Sequence, residues 1–423
     1  MQELEQCIQK MVGRGFDKAQ AQYSINEREE IQAEFNEPSM LRTVENRTLE
    51  LLGIVGGKRA TTSVNQHNDA QIDAAIEALW QSAQATQADE ANDIAAAQAP
   101  ARFSAGPVQA DLDVMADRLD EFLDFTQQKY PRITLGMVTL SHLRSQQTLC
   151  NSNGVRFESS RGRYDAGAMF TARDGSDVSS FSFCGASYLD LGQPIADTGS
   201  FERLLASTSD QVCTQKVPDK FTGDLIIAPD CVGAFVGFLL ESISRGRMVA
   251  DTSIYKGKLD KQVADSRLTI HSRPLDLASG YSVTSDGYPA ENLKIVENGV
   301  LRSYLLDQYG ANKTGLARSK SSGGSYVIEA GADALDDMVA DVEKGVLITR
   351  FSGGRPSDNG DFSGVAKNSY YIEDGEVKFP LSETMVSGNL AEVLRNICAI
   401  SRERVDSGSS ILPWIRVGGI GIS

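Results

Sequence analysis

Leu4, Cys7, Ile8 and Met11 recur at three- and four-residue spacing, so the chain opens with a helix buried along one side and stopped by Gly13 and Gly15. Alternating apolar and polar positions then predict extended segments over residues 19–29, 31–36 and 49–65, with Gly56-Gly57 folding one run back on the next. Helical spacing returns from about Asp69, with Ile72, Ile76, Leu79 and Trp80 on one side. It returns again over residues 111–129, where Leu112, Met115, Leu119, Phe122 and Leu123 form the stripe and Pro131 follows. Between these helices, residues 81–101 are rich in Ala and Gln and weakly patterned, which predicts a loop or mobile segment rather than core. A further helix is expected over residues 201–211.

From Arg132 onward the pattern is mostly that of strands. Asn153-Gly154, Asp286-Gly287, Asn298-Gly299 and Asp374-Gly375 each join two extended runs, as tight hairpins do when the turn needs positive φ. Asn298-Gly299 is the clearest, flanked by the runs 293–296 and 300–305. One late helix is expected over residues 389–400, with Leu390, Val393, Leu394 and Ile397 inward. The fold class is α+β: an N-terminal helix-on-sheet domain over residues 1–219, then a strand-rich domain over residues 220–423 that is a sheet or open barrel with a few helices. The boundary falls in residues 217–223.

Composition narrows the function. With 423 residues, 41% hydrophobic and 23% charged, the chain is an ordinary globular protein able to bury a sizeable core. A formal charge of -16 argues against a phosphate backbone as partner, since nucleic-acid affinity rests on Lys and Arg. The first ten residues hold acids and no basic segment leading into an apolar one, so no secretory signal is expected and the location is read as cytoplasmic. The longest apolar run, residues 231–240, falls well short of the roughly 20 residues that span a membrane, so it reads as a buried helix. The six cysteines form no CxxC pair and are expected as reduced thiols.

Candidate chemistry is sparse. His67, His142 and His271 are the only histidines, and no two lie within a helical turn or short loop of each other, so each reads as structural or surface. A cysteine nucleophile needs a base in reach; Cys184 and Cys398 sit among apolar residues, which raise a thiol pKa, although His271 meeting one of them in space stays open. Residues 349–368 form a polar, Gly-rich loop without GxxxxGK[ST] spacing, so a ligand-binding loop remains and a phosphate cradle does not.

One order of blocks is specific. DLIIAP at 224–229 is followed by the apolar helix to Arg247, a segment at 253–257, VENGVLRSYLLDQYGANKTGL, GDFSG at 360–364, SYYIEDGEV at 369–377 and SGNLAEVLRNI at 387–397. This order resembles the TldD/PmbA family, whose members have carried the label "modulator of DNA gyrase" and whose TldD branch is a zinc peptidase with HExxxH on this helix. Two helical imidazoles hold such a zinc and the carboxylate between them serves as base. Here Val236, Gly237 and Glu241 fall on the His, Glu and His positions, and no cysteine follows in 405–414 where the catalytic branch has a further ligand.

The resemblance therefore implies the TldE/PmbA-like branch. Its expected role is the non-catalytic half of a heterodimeric zinc protease acting on unfolded or extended peptides, with no cofactor in this chain and zinc in a TldD-like partner. Whether the chain alone pairs with itself as a homodimer stays open; a stand-alone homodimeric peptide-binding protein is the alternative, and a Cys-dependent hydrolase is a second. Arg355, Asp361 and Ser363 are the residues expected to border a peptide groove. Gly233 and Gly237, four apart, are read as sites of close backbone packing.

Overall fold

The computed structural model describes residues 1–65 and 68–423. Its first sheet has the strand order Lys58–Val64, Glu37–Val55, Lys18–Glu34, Ile133–Asn151, Arg156–Asp174 and Ala101–Ala105, with Asp177–Val178 and Ser182–Tyr188 also pairing to Arg156–Asp174. The sheet curls into a half-barrel. Side chains alternate between its faces, and the two faces have different partners. On the convex face, Ala19, Ala21, Leu49, Leu51 and Cys150 pack under the helices Gln2–Arg14 and Asp69–Ala85 through Leu4, Cys7, Met11, Ile72 and Leu79. Further along, Val138, Leu140, Tyr164 and Ala166 pack under Leu112–Lys129 and Phe201–Asp210 through Met115, Leu119, Phe122 and Leu205. The concave face carries polar rows such as Ser24, Gln147 and Ser159 beside a small apolar cluster that includes Leu149 and Phe157.

The second sheet contains thirteen strands. Phe221–Ile227 runs antiparallel to Ile411–Ile422 and parallel to Lys344–Ile348, and all three are followed or flanked by apolar side chains of the main core. Pro229 then starts the helix Pro229–Ser242, where its missing N–H costs nothing. Val232, Phe235, Val236, Leu239 and Leu240 of this helix lie within that core. The Phe235 ring sits 5.2 Å from Phe351 and 5.6 Å from Phe362, so the helix is fixed against the strands Arg350–Gly353 and Asp361–Lys367.

Several expectations are corrected. Residues 19–36 are not two strands but one, Lys18–Glu34, paired along its length with Glu37–Val55; the turn uses Phe35 and Asn36 at positive φ. Residues 37–48 had no readable alternation because most of them are exposed. Residues 86–100 form the expected loop, but the helix before it continues to Ala85, and the loop is packed, with Ala91, Ile94 and Ala95 buried. Small side chains suffice there because Ala95 packs on Leu149, Val155 and Phe157 while its carbonyl accepts from the Asn151 amide at 2.8 Å. Leu112 is exposed rather than part of its helix's stripe. The late helix spans only Leu390–Arg395; Ile397 and Cys398 belong to the strand Ile397–Asp406, so Cys398 lies on a strand and not on a helix. Asp286-Gly287 does make a tight turn with Gly287 at positive φ, but it joins only an isolated antiparallel bridge, Val283 with Pro289, and not two full strands.

Asp286 instead ties three segments together. Its carboxylate accepts from Arg318 through two bonds of 2.8 Å, from Thr284 Oγ1 at 2.6 Å and from the Gln308 backbone N–H at 2.8 Å. The Arg318 guanidinium also lies 3.8 Å from the centre of the Tyr288 ring. Burial alone would raise the Asp286 pKa; the bonds from Arg318 and Thr284 and the Arg318 charge outweigh it, and the net direction is down. The folded state thus binds this proton less readily than the unfolded chain. Its stabilisation is complete above the unfolded carboxyl value of about 4 and is lost as pH falls through the lower folded value. Asp286→Asn should lower stability by about 2–4 kcal/mol near neutral pH, because Arg318 keeps its charge and loses its partner. Urea unfolding from pH 7 down to pH 3 should also show a weaker acid dependence in this variant than in the parent.

Candidate functional site

The helix Pro229–Ser242 has two unlike sides. Val236, which the resemblance would put at a ligand position, is 3% exposed and faces the core. Asp230, Gly233, Ala234 and Glu241 are exposed and Gly237 half-buried, and their three- and four-residue spacing places them along the other side. A Cβ built at Gly233 or Gly237 would meet nothing within 4 Å. This corrects the reading of these glycines as close-packing positions: within the chain nothing approaches them, and they leave a strip of bare backbone.

Ion pairs bound the strip at both ends. Asp230 at the N-terminal end is held by Arg203 and accepts from Ser200 Oγ at 3.1 Å. Glu241 at the C-terminal end accepts from Arg355 at 2.8 Å and Arg247 at 3.3 Å. Arg247 is buried and is also bonded to Asp358 in the loop. The result is a shelf, low in the middle and charged at its ends.

The shelf residues do not fit a metal. Val236 and Gly237 carry no donor atom, and the Glu241 carboxylate is occupied by two guanidinium groups. His142 is buried on the strand Ile133–Asn151, its Nε2 3.0 Å from the Pro107 carbonyl. His271, on the strand Ile270–Ser272, places Nε2 2.7 Å from Glu329 Oε1. His67 lies outside the described residues. Among the described residues, no three His, Cys, Asp or Glu side chains gather as a metal-ligating group.

The thiols are also poorly placed for nucleophilic work. Burial raises the Cys184 pKa well above its ordinary value and pushes Cys231 up to about 12. Cys398 is exposed at the surface, yet desolvation still raises it, and its Sγ lies 3.5 Å from the Asn396 carbonyl. Each therefore stays protonated near neutral pH.

Arg355 and Asp361 take different partners. Arg355 reaches across to Glu241 on the shelf. Asp361 accepts from Asn389 and Asn359, both at 2.9 Å, and these bonds hold its carboxyl below the usual range. Asn389 in turn caps the helix Leu390–Arg395 by accepting from Ala391 N and Glu392 N, so Asp361 fixes loop and cap together. Ser363 is exposed on Asp361–Lys367. Beside them, Arg350–Gly353 pairs only with Asp361–Lys367, and its other edge is free of strand partners among the described residues. Sequence reasoning missed Arg247, Asp358 and Arg203, whose partners lie far away along the chain.

Fold and site together define an α+β scaffold whose helix Pro229–Ser242 offers a bare shelf near a strand that lacks a second strand partner among the described residues. Residues 221–423 match the family model described as the PmbA/TldA metallopeptidase C-terminal domain. "Metalloprotease PmbA" of Escherichia coli O157:H7 is 27% identical over 243 residues, 54% of each chain. "Zinc metalloprotease TldD homolog" of Saccharolobus solfataricus is 27% identical over 227 residues, 49% of this chain and 51% of that protein. The chain thus spans about half the length of the curated relatives it matches. TldE from Thermococcus kodakarensis superposes with a TM-score of 0.84 at 21% identity, covering 100% of both chains. A putative modulator of DNA gyrase from Bacteroides thetaiotaomicron superposes at 0.89 and 21% identity, covering 100% of this chain and 98% of that one. Residues 221–423 are thus a domain of the PmbA/TldA metallopeptidase C-terminal type, and over its length the chain has the fold of those two structures. No helix among the described residues is long and apolar enough to cross a membrane.

If the shelf is open, filling it should not harm folding. Gly233→Ala and Gly237→Ala should each raise stability by up to about 1 kcal/mol, since an exposed helical Ala replaces Gly without a clash. Thermal unfolding of the two variants tests this; a loss of stability would mean that the helix packs more closely than described.

Proposed function

We propose that this chain is the non-catalytic, TldE-like subunit of a heterodimeric zinc peptidase, placing extended peptides for a TldD-like partner that carries the metal. The observation that carries the reading is the shelf: the helix that bears HExxxH in the catalytic branch here turns a buried Val236 inward and a bare glycine face outward. An extended substrate suits the free edge of Arg350–Gly353, where main-chain hydrogen bonds give affinity without sequence preference. Arg355 at the end of the shelf then serves as a movable guanidinium that can leave Glu241 for a peptide carbonyl or carboxylate. The pair it leaves is exposed and worth about 0–1 kcal/mol, so the exchange costs little.

The related peptidase names support proteolysis as the setting, and the six free thiols accord with a cytoplasmic one. The partner surface has a further support in the shelf itself, which gives a second subunit room to bring its metal helix near the substrate.

Native mass spectrometry with metal analysis, on the protein captured gently from its own cells, tests the assembly. The expected result is a complex with a second chain of similar size and about one zinc ion per pair. A metal-free homodimer with no second chain would favour a stand-alone peptide-binding protein, and stoichiometric zinc on this chain alone would contradict the proposal.

A further inference from the structure

The concave face of the half-barrel is lined in rows that the strand register fixes. Thr48, Ser24, Gln147 and Ser159 form one row across four strands; Asn46, Asn26, Ser145 and Arg161 form the next. Both rows are neutral apart from Arg161. In the two rows beyond, the charges are paired: Arg28 and Arg42 share the buried Glu30 at 2.8 and 2.7 Å, and Arg163 binds Asp165 at 2.8 Å. Arg144, which the register puts on the alternate face but which also borders the trough, binds Glu27 at 2.9 Å.

Arg161 alone of these five arginines has no carboxylate partner among the described residues. Its guanidinium meets only neutral oxygens, the Leu277 carbonyl at 3.3 Å and Ser282 Oγ at 3.5 Å, both on the segment that closes the trough from the C-terminal half. Burial, and then the nearby Arg163 charge, disfavour its protonated form. A half-buried cation that lacks a counter-ion, in a protein of charge -16, gains most from an incoming anion.

Three cavities lead to it. The first, about 640 Å³, holds Arg161; the second, about 720 Å³, shares Gln147, Tyr281 and Val283 with the first. A third, about 290 Å³, shares Ser285 and Ser322 with the second and reaches Ser244, Arg245 and Gly246, immediately beyond the shelf helix. Gln20, Gln22, Gln147 and Thr62 line the second cavity beside Leu149 and the charged Glu50 and Arg59, and their amide and hydroxyl groups can bond a peptide backbone.

We infer that the half-barrel trough is a carboxylate-binding subsite for peptides, in which Arg161 takes a peptide carboxylate while the chain runs back along the linked cavities toward the shelf. The inference rests on the peptide reading above and adds a chemical preference to it. Asn26, Asn46, Ser145 and Gln147 satisfy the backbone next to the anion, and Arg161 supplies the charge. The carboxylate can belong to the C-terminus or to an Asp or Glu side chain, since both present the same two oxygens to a guanidinium fork.

Fluorescence anisotropy with the full-length protein and three short labelled peptides tests the site. One peptide lacks acidic residues and ends in a free carboxylate, the second is its C-terminal amide, and the third is that amide with one Glu added. The parent should bind the first or the third about tenfold more tightly than the second, which also tells the two sources apart. Arg161→Gln should reduce every peptide to the affinity of the plain amide, and Arg161→Lys should keep part of the preference. Ser282→Ala, which removes only a loop contact, should keep it in full; its loss there would reduce Arg161 to a loop anchor. Equal binding of all three peptides by the parent, or a preference that survives Arg161→Gln, would overturn the subsite alone. Failure of the parent to bind any of the three would overturn the peptide reading beneath it as well.

Discussion

The burial of one side of the helix Pro229–Ser242 is the constraint on which the rest of the site depends. Val232, Phe235, Val236 and Leu239 are almost wholly withdrawn from water. Full burial of such side chains stabilises by about 1.5–3 kcal/mol each. That packing sets the rotation of the helix, and the rotation decides which residues face outward. Once Val236 is a core residue, no imidazole can replace it without burying a polar ring, and the outward positions fall to Gly233, Ala234, Gly237 and Glu241. The shelf is thus a consequence of core packing.

The same helix orders the surrounding loop. Phe235 fixes Phe351 and Phe362, hence the edge strand and its neighbour; Glu241, Arg247 and Asp358 then tie the loop between those strands to the end of the helix. Arg247 carries most of this, because it is buried and its partners reduce a real desolvation cost. Arg355 is the looser member, exposed and held by a single pair. A buried anchor with one exposed charged arm is what the proposed peptide surface would use.

Much of the fold was legible in the sequence, since long amphipathic segments carry their own period. The opening helix, the helices beginning near Asp69 and at residues 111–129, and the Asn298-Gly299 hairpin are where the pattern placed them. The long hairpin arm at residues 37–48 was not, because it is exposed on both faces and so shows no alternation. Residues 91–95 were missed for the opposite reason: alanines fill a tight space that composition alone makes look featureless. At the site, the block order pointed to this helix, and the assignment of its positions to ligand places comes from the resemblance alone. The sequence could not show that Gly233 and Gly237 stand open, nor that Arg203, Arg247 and Asp358 frame them, because glycine spacing fits close packing equally well and the ion pairs join distant segments.

The central claim is that the glycine shelf and the free strand edge beside it are where an extended peptide lies. Hydrogen exchange read by mass spectrometry, with and without a saturating unstructured peptide, addresses it most directly. The account predicts slower exchange at the backbone N–H groups of Arg350–Gly353 and in peptides covering residues 233–241. Unchanged exchange in both segments under saturating peptide would contradict it.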